Sequence, residues 1–341
     1  MPHYKLAFLG FGNVGKALAE LLLSKRADIE EKTGVTFSVA GVATGTRGIA
    51  IDPEGVDLLQ ALELLQSGQS ITQMTTFPVA NSLEFIQNCG ADLIFETIPV
   101  NYENGQPAVD LIRAALESGM HVATANKGPV VHAYDELTSL AKSMGLKFYF
   151  ESTVMDGAPV FALFRETLPA ANILGFRGVL NSTTNLILTR METGESYADA
   201  VAYAQSIGIA ETDPSGDVDG WDAAIKVSAL VTVLMGVPTK PQDVDRTGIS
   251  EITIEEIELA KARVKRWKLV CEAHWDGGQL KRTVAPQMVG INSPLYGIEG
   301  TTSIVQIESD VLGKLSLIEE DPGPHTTAYG LMADFLNAVK S

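Results

Sequence analysis

Between Glu211 and Lys226 the chain gathers five carboxylates and one lysine: Glu211, Asp213, Asp217, Asp219, Asp222 and Lys226. Pro214, Gly216 and Gly220 interrupt any helix, so Glu211 to Asp217 reads as a loop. Asp219 has the chemistry of an N-cap and an apolar run to Met235 follows it, which predicts a helix from that point. Asp222 and Lys226, four apart, then share one helical face. A loop of acids beside a carboxylate-paired lysine suits a small substrate that carries an ammonium group and exchanges a proton. The bland alternative is an acid cluster that complements a helix dipole and solvates the surface.

A second constellation opens the chain. The apolar run Lys5 to Leu9 leads into Gly10-Phe11-Gly12-Asn13-Val14-Gly15 and then a helical stretch through Leu23. Strand, glycine loop and helix in that order form the context a dinucleotide fingerprint requires. Gly10 permits the turn, Gly12 lets the backbone approach a pyrophosphate, and Gly15 allows close helix–sheet packing. The amides of Asn13, Val14 and Gly15 begin the helix that faces the phosphates. The second strand, Thr36 to Ala43, ends in Thr44-Gly45-Thr46-Arg47-Gly48, without the acid that holds a ribose 2′-hydroxyl. Thr44 and Arg47 there suit a 2′-phosphate, so NADP is expected and NAD is the alternative. The competing reading is that Arg47 only caps a surface loop. Thr97 and Lys127 each follow a strand-like run, at the edge where open α/β sheets bind ligands.

The elements that position these residues follow from periodicity. Short apolar runs alternate with helix-like segments up to about residue 150, which predicts parallel βαβ units in a doubly wound, Rossmann-type sheet. Beyond it, strands and helices are grouped, as in an α+β domain with an antiparallel or mixed sheet. Thr326 to Val339 is amphipathic and is expected to return to the first domain. The expected boundaries are 1–150 for dinucleotide binding, 151–320 for catalysis and dimerisation, and 321–341 for the returning helix.

Composition narrows the class. The 341 residues are 45% hydrophobic and 20% charged, as in a soluble globular protein, and the net charge is −17. That balance argues against nucleic-acid and anionic-membrane partners. No run approaches the roughly 20 apolar residues that span a bilayer. Cys89 and Cys271 are distant from each other and sit in apolar contexts, so they read as buried thiols in the cytoplasm. The five histidines lack metal-ligand spacing.

Across nearly its whole length the chain resembles homoserine dehydrogenases. The resemblance rests on Gly10–Gly15, Thr124-Ala125-Asn126-Lys127, Glu151-Ser152-Thr153-Val154, Leu180-Asn181-Ser182-Thr183-Thr184-Asn185 and Gly208 through Lys226. It implies reversible, NAD(P)-dependent oxidation of L-homoserine to L-aspartate 4-semialdehyde, and a short form without a regulatory ACT domain. It also implies site roles. Lys226 and Asp222 are expected as the pair at the reacting hydroxyl, with Glu211, Asp217, Asn181 and Thr183 at the substrate. Lys127 is expected as a catalytic lysine on the opposite, cofactor side, where it also binds the cofactor. Gly323 is expected near the nicotinamide, and Glu151, Val154, Asp156 and Ala158 at a monovalent cation, sodium. A homodimer is expected as well. Met155-Asp156-Gly157-Ala158, Pro324-His325 and Ser182 depart from the family pattern. These departures leave open a dehydrogenase for another amino-acid-derived alcohol, or a catalytically idle nucleotide-binding relative.

Overall fold

An apolar run that cannot be solvated on either side becomes a central strand. In the computed structural model, which describes residues 1–340, β1 (His3–Leu9) has Leu6, Ala7 and Phe8 wholly buried. Such runs are apolar without alternation because helices cover both faces of a parallel sheet. The other strands of the first sheet are β2 (Thr36–Ala43), β3 (Ile49–Ile51), β4 (Leu93–Glu96), β5 (His121–Thr124) and β6 (Phe148–Tyr149). Their order is β3-β2-β1-β4-β5-β6, parallel throughout except that β3 runs antiparallel at the edge. The helices α1 (Asn13–Thr33), α2 (Leu58–Gln66), α3 (Ser82–Asn88), α4 (Ala108–Glu117), α5 (Lys127–His132) and α6 (Tyr134–Ser143) lie between them in sequence.

The chain divides into two compact units, Met1–Pro159 with Gly323–Ser341, and Val160–Pro322. The C-terminal helix α13 (Pro324–Ala338) belongs to the first unit and packs along α1. Its Phe335 is fully buried, 6.3 Å from the ring centroids of both Phe37 and Phe95. Burial of such a side chain contributes about 1.5–3 kcal/mol.

The second unit contains α7 (Val160–Ala162), α8 (Ser182–Met191), α9 (Tyr197–Ser206), α10 (Ser215–Val218), α11 (Trp221–Leu234) and α12 (Ile254–Ala262). Its strands are β7 (Ile173–Val179), β8 (Asp245–Arg246), β9 (Lys265–Asp276), β10 (Gln279–Gly290), β11 (Ser303–Ser309) and β12 (Gly313–Glu319). They form a mixed sheet in the order β12-β11-β7-β9-β10-β8, in which only the short β8–β10 pair is parallel. Gly277 and Gly278, both at positive φ, close the β9–β10 hairpin with the two-residue loop whose twist matches the strands. α11 packs on β9 and β10.

One local expectation changes. Asp219 does not start the long helix: Ser215–Val218 forms a separate turn, α10, and Asp219 is its C-cap. Gly220 then adopts φ +80° and α11 begins at Trp221. The left-handed residue breaks the helix that the apolar pattern alone would have continued. The Arg246 guanidinium stacks 3.8 Å over Trp221 and also donates to Asp219 O, which fixes the break. Among the described residues no helix is long and apolar enough to cross a membrane.

Candidate active site

Register aligns four strand ends in the first unit. Leu9 pairs with Ala43 on one side and Glu96 on the other, and Glu96 pairs with Thr124. Gly10, Thr44, Thr97 and Ala125 therefore leave the sheet along one edge. Gly10 sits at φ +99°, and a Cβ there would lie 2.7 Å from the Thr97 carbonyl carbon. The Thr97 hydroxyl donates to Gly10 O at 3.1 Å. A Cβ on Gly15 would meet Gly10 O at 2.7 Å, whereas one on Gly12 would meet nothing within 4 Å. The loop is thus packed beneath Gly10 and Gly15 and open at Gly12.

α1 takes Gly12 as its N-cap, with no side-chain cap and no acid in its first turn. The amides of Asn13, Val14 and Gly15 have no partner inside the helix. With the positive end of the helix they fit a pyrophosphate.

Beyond β2, the Thr44 hydroxyl donates to Gly48 O at 2.9 Å and accepts from Arg47 N at 2.8 Å, so the loop holds its own shape. Arg47 is exposed and its guanidinium donates to Gly68 O. That bond occupies one of five N–H donors. The reading of Arg47 as a loop cap is therefore part of its role, and donors remain for an anion.

After β5 the chain enters α5, with Lys127 as the first helical residue and Asn126 as N-cap. Asn126 Oδ1 accepts from Gly128 N at 3.0 Å, and Nδ2 points to Glu96 Oε1 at 3.4 Å and Ile98 O at 3.3 Å. Glu96 is wholly buried and accepts from the Thr124 hydroxyl at 2.6 Å and Ile98 N at 2.8 Å. Burial pushes its carboxyl up to about 7, while these donors pull it down.

The segment expected at a cation follows β6. Glu151 is 3% exposed, and its N–H donates to Asp334 Oδ2 of α13 at 2.8 Å. Val154 is buried and Ala158 partly so. Asp156, at φ +40°, accepts from the Thr326 hydroxyl at 3.4 Å and the Thr327 hydroxyl at 3.0 Å. Both hydroxyls also lie within reach of Gly323 O, at 2.8 and 3.0 Å. Asp156 and Gly323 are thus brought together by the first turn of α13. Among the described residues no group of three His, Cys, Asp or Glu side chains is placed to hold a metal ion. Glu151 and Asp334 are both buried there; carboxylates with main-chain oxygens make a hard donor set, which suits a hard cation.

In the second unit Asn181 organises the acids. Its Oδ1 caps α8, accepting from Thr184 N at 2.8 Å, so its Nδ2 must face the other way. Nδ2 donates to Asp217 Oδ1 at 2.6 Å and Asp222 Oδ2 at 3.1 Å. Lys226 pairs with Asp222 at 3.0 Å across one turn of α11 and donates to Leu180 O at 2.6 Å. The two side chains are 15% and 13% exposed, so the pair is shielded but still reachable. Burial raises the Asp217 carboxyl above its ordinary value and Asp222 adds to the rise, while Asn181, Thr183 and Lys226 oppose it. Thr183 is itself buried and lies 3.4 Å from Ile209 O. Glu211 lies on the exposed loop, its carbonyl accepting from Gln205 Nε2 at 3.2 Å. The arrangement presents carboxylates to an ammonium and a lysine to an oxygen that loses or gains a proton.

Three buried ionisable groups, Glu96, Lys268 and Asp334, were not singled out by motif reading. Glu96 was visible only as the acid that ends the apolar run Leu93-Ile94-Phe95. Lys268 of β9 is wholly buried, donates to Asn185 Oδ1 at 2.9 Å and to Ile298 O, and burial lowers it to about 8. Its signal was one lysine inside the run Trp267 to Cys271.

Comparison with known proteins agrees in both units. A family described as homoserine dehydrogenase, NAD binding domain, matches residues 10–151, and one described as homoserine dehydrogenase matches residues 159–336. An NAD(+)-dependent homoserine dehydrogenase of Pseudomonas canavaninivorans is 36% identical, over 100% of this chain and 97% of that protein. A homoserine dehydrogenase of Methanocaldococcus jannaschii is 36% identical over 98% of each. A hyperthermophilic archaeal homoserine dehydrogenase, solved in complex with NADPH, superposes with a TM-score of 0.82 at 32% identity, covering 98% of this chain and 97% of that one.

Proposed function

Because the chain belongs to the homoserine dehydrogenase family, we propose that it interconverts L-homoserine and L-aspartate 4-semialdehyde, serving threonine and methionine biosynthesis, with NADP preferred over NAD. The observation that carries this reading is the Asn181 amide, which holds Asp217 and Asp222 on one side of Lys226. Asp217 and Glu211 receive the substrate ammonium, whose charge favours the ionised form of the buried Asp217. Lys226 uses two of its three N–H donors on Asp222 and Leu180 O and has one left for the substrate hydroxyl oxygen. Asn181 and Thr183 orient the acids, and Lys226 and Lys127 are the groups assigned to the hydroxyl proton.

Gly10, Gly12 and the first amides of α1 would hold the pyrophosphate, with Thr97 bracing the loop and Gly323 near the nicotinamide. A dinucleotide held by these groups would supply the acceptor for the hydride that leaves the alcohol carbon. The NADP preference is supported by the absence of an acid in Thr44–Gly48 and by the exposed Arg47. Relatives bear on both cofactors, one being NAD(+)-dependent and one solved with NADPH. Glu151, with backbone oxygens of Val154 and Ala158, is assigned to a monovalent cation, sodium. Asp156 acts as an anchor for α13 as well as a neighbour of that segment.

We place the enzyme in the cytoplasm as a homodimer. Cys89 and Cys271 are free and buried, and burial raises both thiols, Cys271 to about 12. The dimer contact is assigned to the face of the second sheet on which Glu272, Arg177 and Gln306 are paired across strands.

Initial rates with L-homoserine, recorded at the nicotinamide absorbance with NADP or NAD and with or without sodium, test the whole reading. Reduction of NADP, faster than of NAD, is expected. Silence here and with the semialdehyde in reverse would overturn the substrate assignment.

A further inference from the structure

We propose that Glu96 is a positioning residue for Lys127, acting through the side-chain amide of Asn126. The proposal rests on the assignment of Lys127 to the reaction. Glu96 closes a strand whose other residues, Leu93, Ile94 and Phe95, are apolar and buried, so a carboxyl there is not required for packing. All three of its partners are donors: the Thr124 hydroxyl, Ile98 N and Asn126 Nδ2. An acceptor at this point decides which way the Asn126 amide faces. With Nδ2 turned to Glu96 and Ile98 O, Oδ1 is left to receive Gly128 N and cap α5. Lys127 is the first residue of that helix, so the direction of its main chain follows from the amide.

The loop is held from two further sides. Thr124 Oγ1 accepts from Asn126 N at 2.9 Å while donating to Glu96. A Cβ on Gly128 would lie 2.9 Å from Gly105 Cα, so α5 starts against a wall. Turning the amide over would set Oδ1 against the Glu96 carboxylate and aim N–H groups at Gly128 N. Thr97, the next residue, holds Gly10 O, so consecutive residues at the end of β4 brace the cofactor loop and the lysine loop separately. Damage at Glu96 is therefore expected to spare dinucleotide binding.

The test is a double-mutant cycle of Glu96→Ala and Lys127→Ala, with kcat read under saturating L-homoserine and NADP and the NADP Kd measured directly. Glu96→Ala is expected to lower kcat about 10–100-fold, the scale of a misplaced catalytic group. The NADP Kd is expected to stay within about threefold, and Glu96→Gln, which keeps an oxygen for Ile98 and Asn126, to recover most of kcat. In the Lys127→Ala background the Glu96 effect is expected to vanish. Multiplying losses, or a loss in NADP affinity instead of kcat, would overturn the proposal. Thr124→Val gives the same cycle if the alanine variant does not fold. Should Lys127→Ala alone leave kcat intact, the assignment of Lys127 fails first, which separates the two outcomes.

Discussion

Asparagine does the same two jobs in both units, and the surroundings differ. Asn126 and Asn181 each cap a helix through Oδ1 and turn Nδ2 to carboxyl oxygens. Around Asn126 there is one wholly buried acid, Glu96, and the other partners are a hydroxyl and backbone groups. Around Asn181 there are two acids and a lysine that keep partial access to solvent. The first node sets geometry, and its hydrogen bonds are internal. The second holds charges that a bound ammonium and hydroxyl can still engage.

The largest expected break in that comparison is Lys226→Ala. Loss of a positioned acid–base group lowers kcat by about 10²–10⁴, and the dinucleotide Kd, set in the first unit, stays unchanged. An intact kcat would remove Lys226 from the reaction and leave the second node as mere surface.

The first node is sharpened by titration. The Glu96 carboxyl is raised from 4.5 to about 7, so the unfolded chain releases this proton at lower pH than the native one does. Its contribution to stability is therefore full below pH 4.5, declines as pH rises to about 7, and is flat above. In urea unfolding, Glu96→Gln should gain about 3 kcal/mol on wild type between pH 4.5 and pH 8. Parallel pH profiles of the two proteins would show that burial does not raise the Glu96 carboxyl.

Asn181→Ala tests the second asparagine as a cap and as a donor together. A lost cap costs about 1 kcal/mol of stability, and the freed acids should raise the homoserine KM more than they alter the NADP KM. Equal changes in both KM values would contradict the separation of the two nodes. The smallest effect is expected at Arg47, whose contact is exposed. Arg47→Ser should lower the NADP-to-NAD ratio of kcat/KM by about fivefold, on the scale of a surface ion pair, with NAD turnover unaltered. An unchanged ratio would leave Arg47 as a loop cap only.

What was legible in the sequence was local. Gly10 to Gly15 declares its role through spacing and through the strand and helix on either side. Asp222 and Lys226 meet because four residues make one helical turn. Asp219 misled because its type suits an N-cap, while the actual break comes from the left-handed Gly220 and from Arg246, 26 residues further on. Glu96 and Lys268 were illegible for a related reason. The partners of Glu96 at Thr124 and Asn126 lie 28 and 30 residues away, and those of Lys268 at Ile298 and Asn185 lie 30 and 83 away. A charged residue in an apolar run is easily read as a strand's solvent edge when nothing nearby in sequence answers it.

The route of the chain through its two units also has a consequence for synthesis. β1, β2 and β4 emerge from the ribosome early, yet Phe335, which packs between Phe37 and Phe95, follows the whole of the second unit in the chain. The first unit must therefore wait, with an aromatic face uncovered, while all of Val160–Pro322 is translated. The second unit has no such delay, since its whole chain is continuous. The nascent chain thus carries all of its second unit before α13 arrives to close the first.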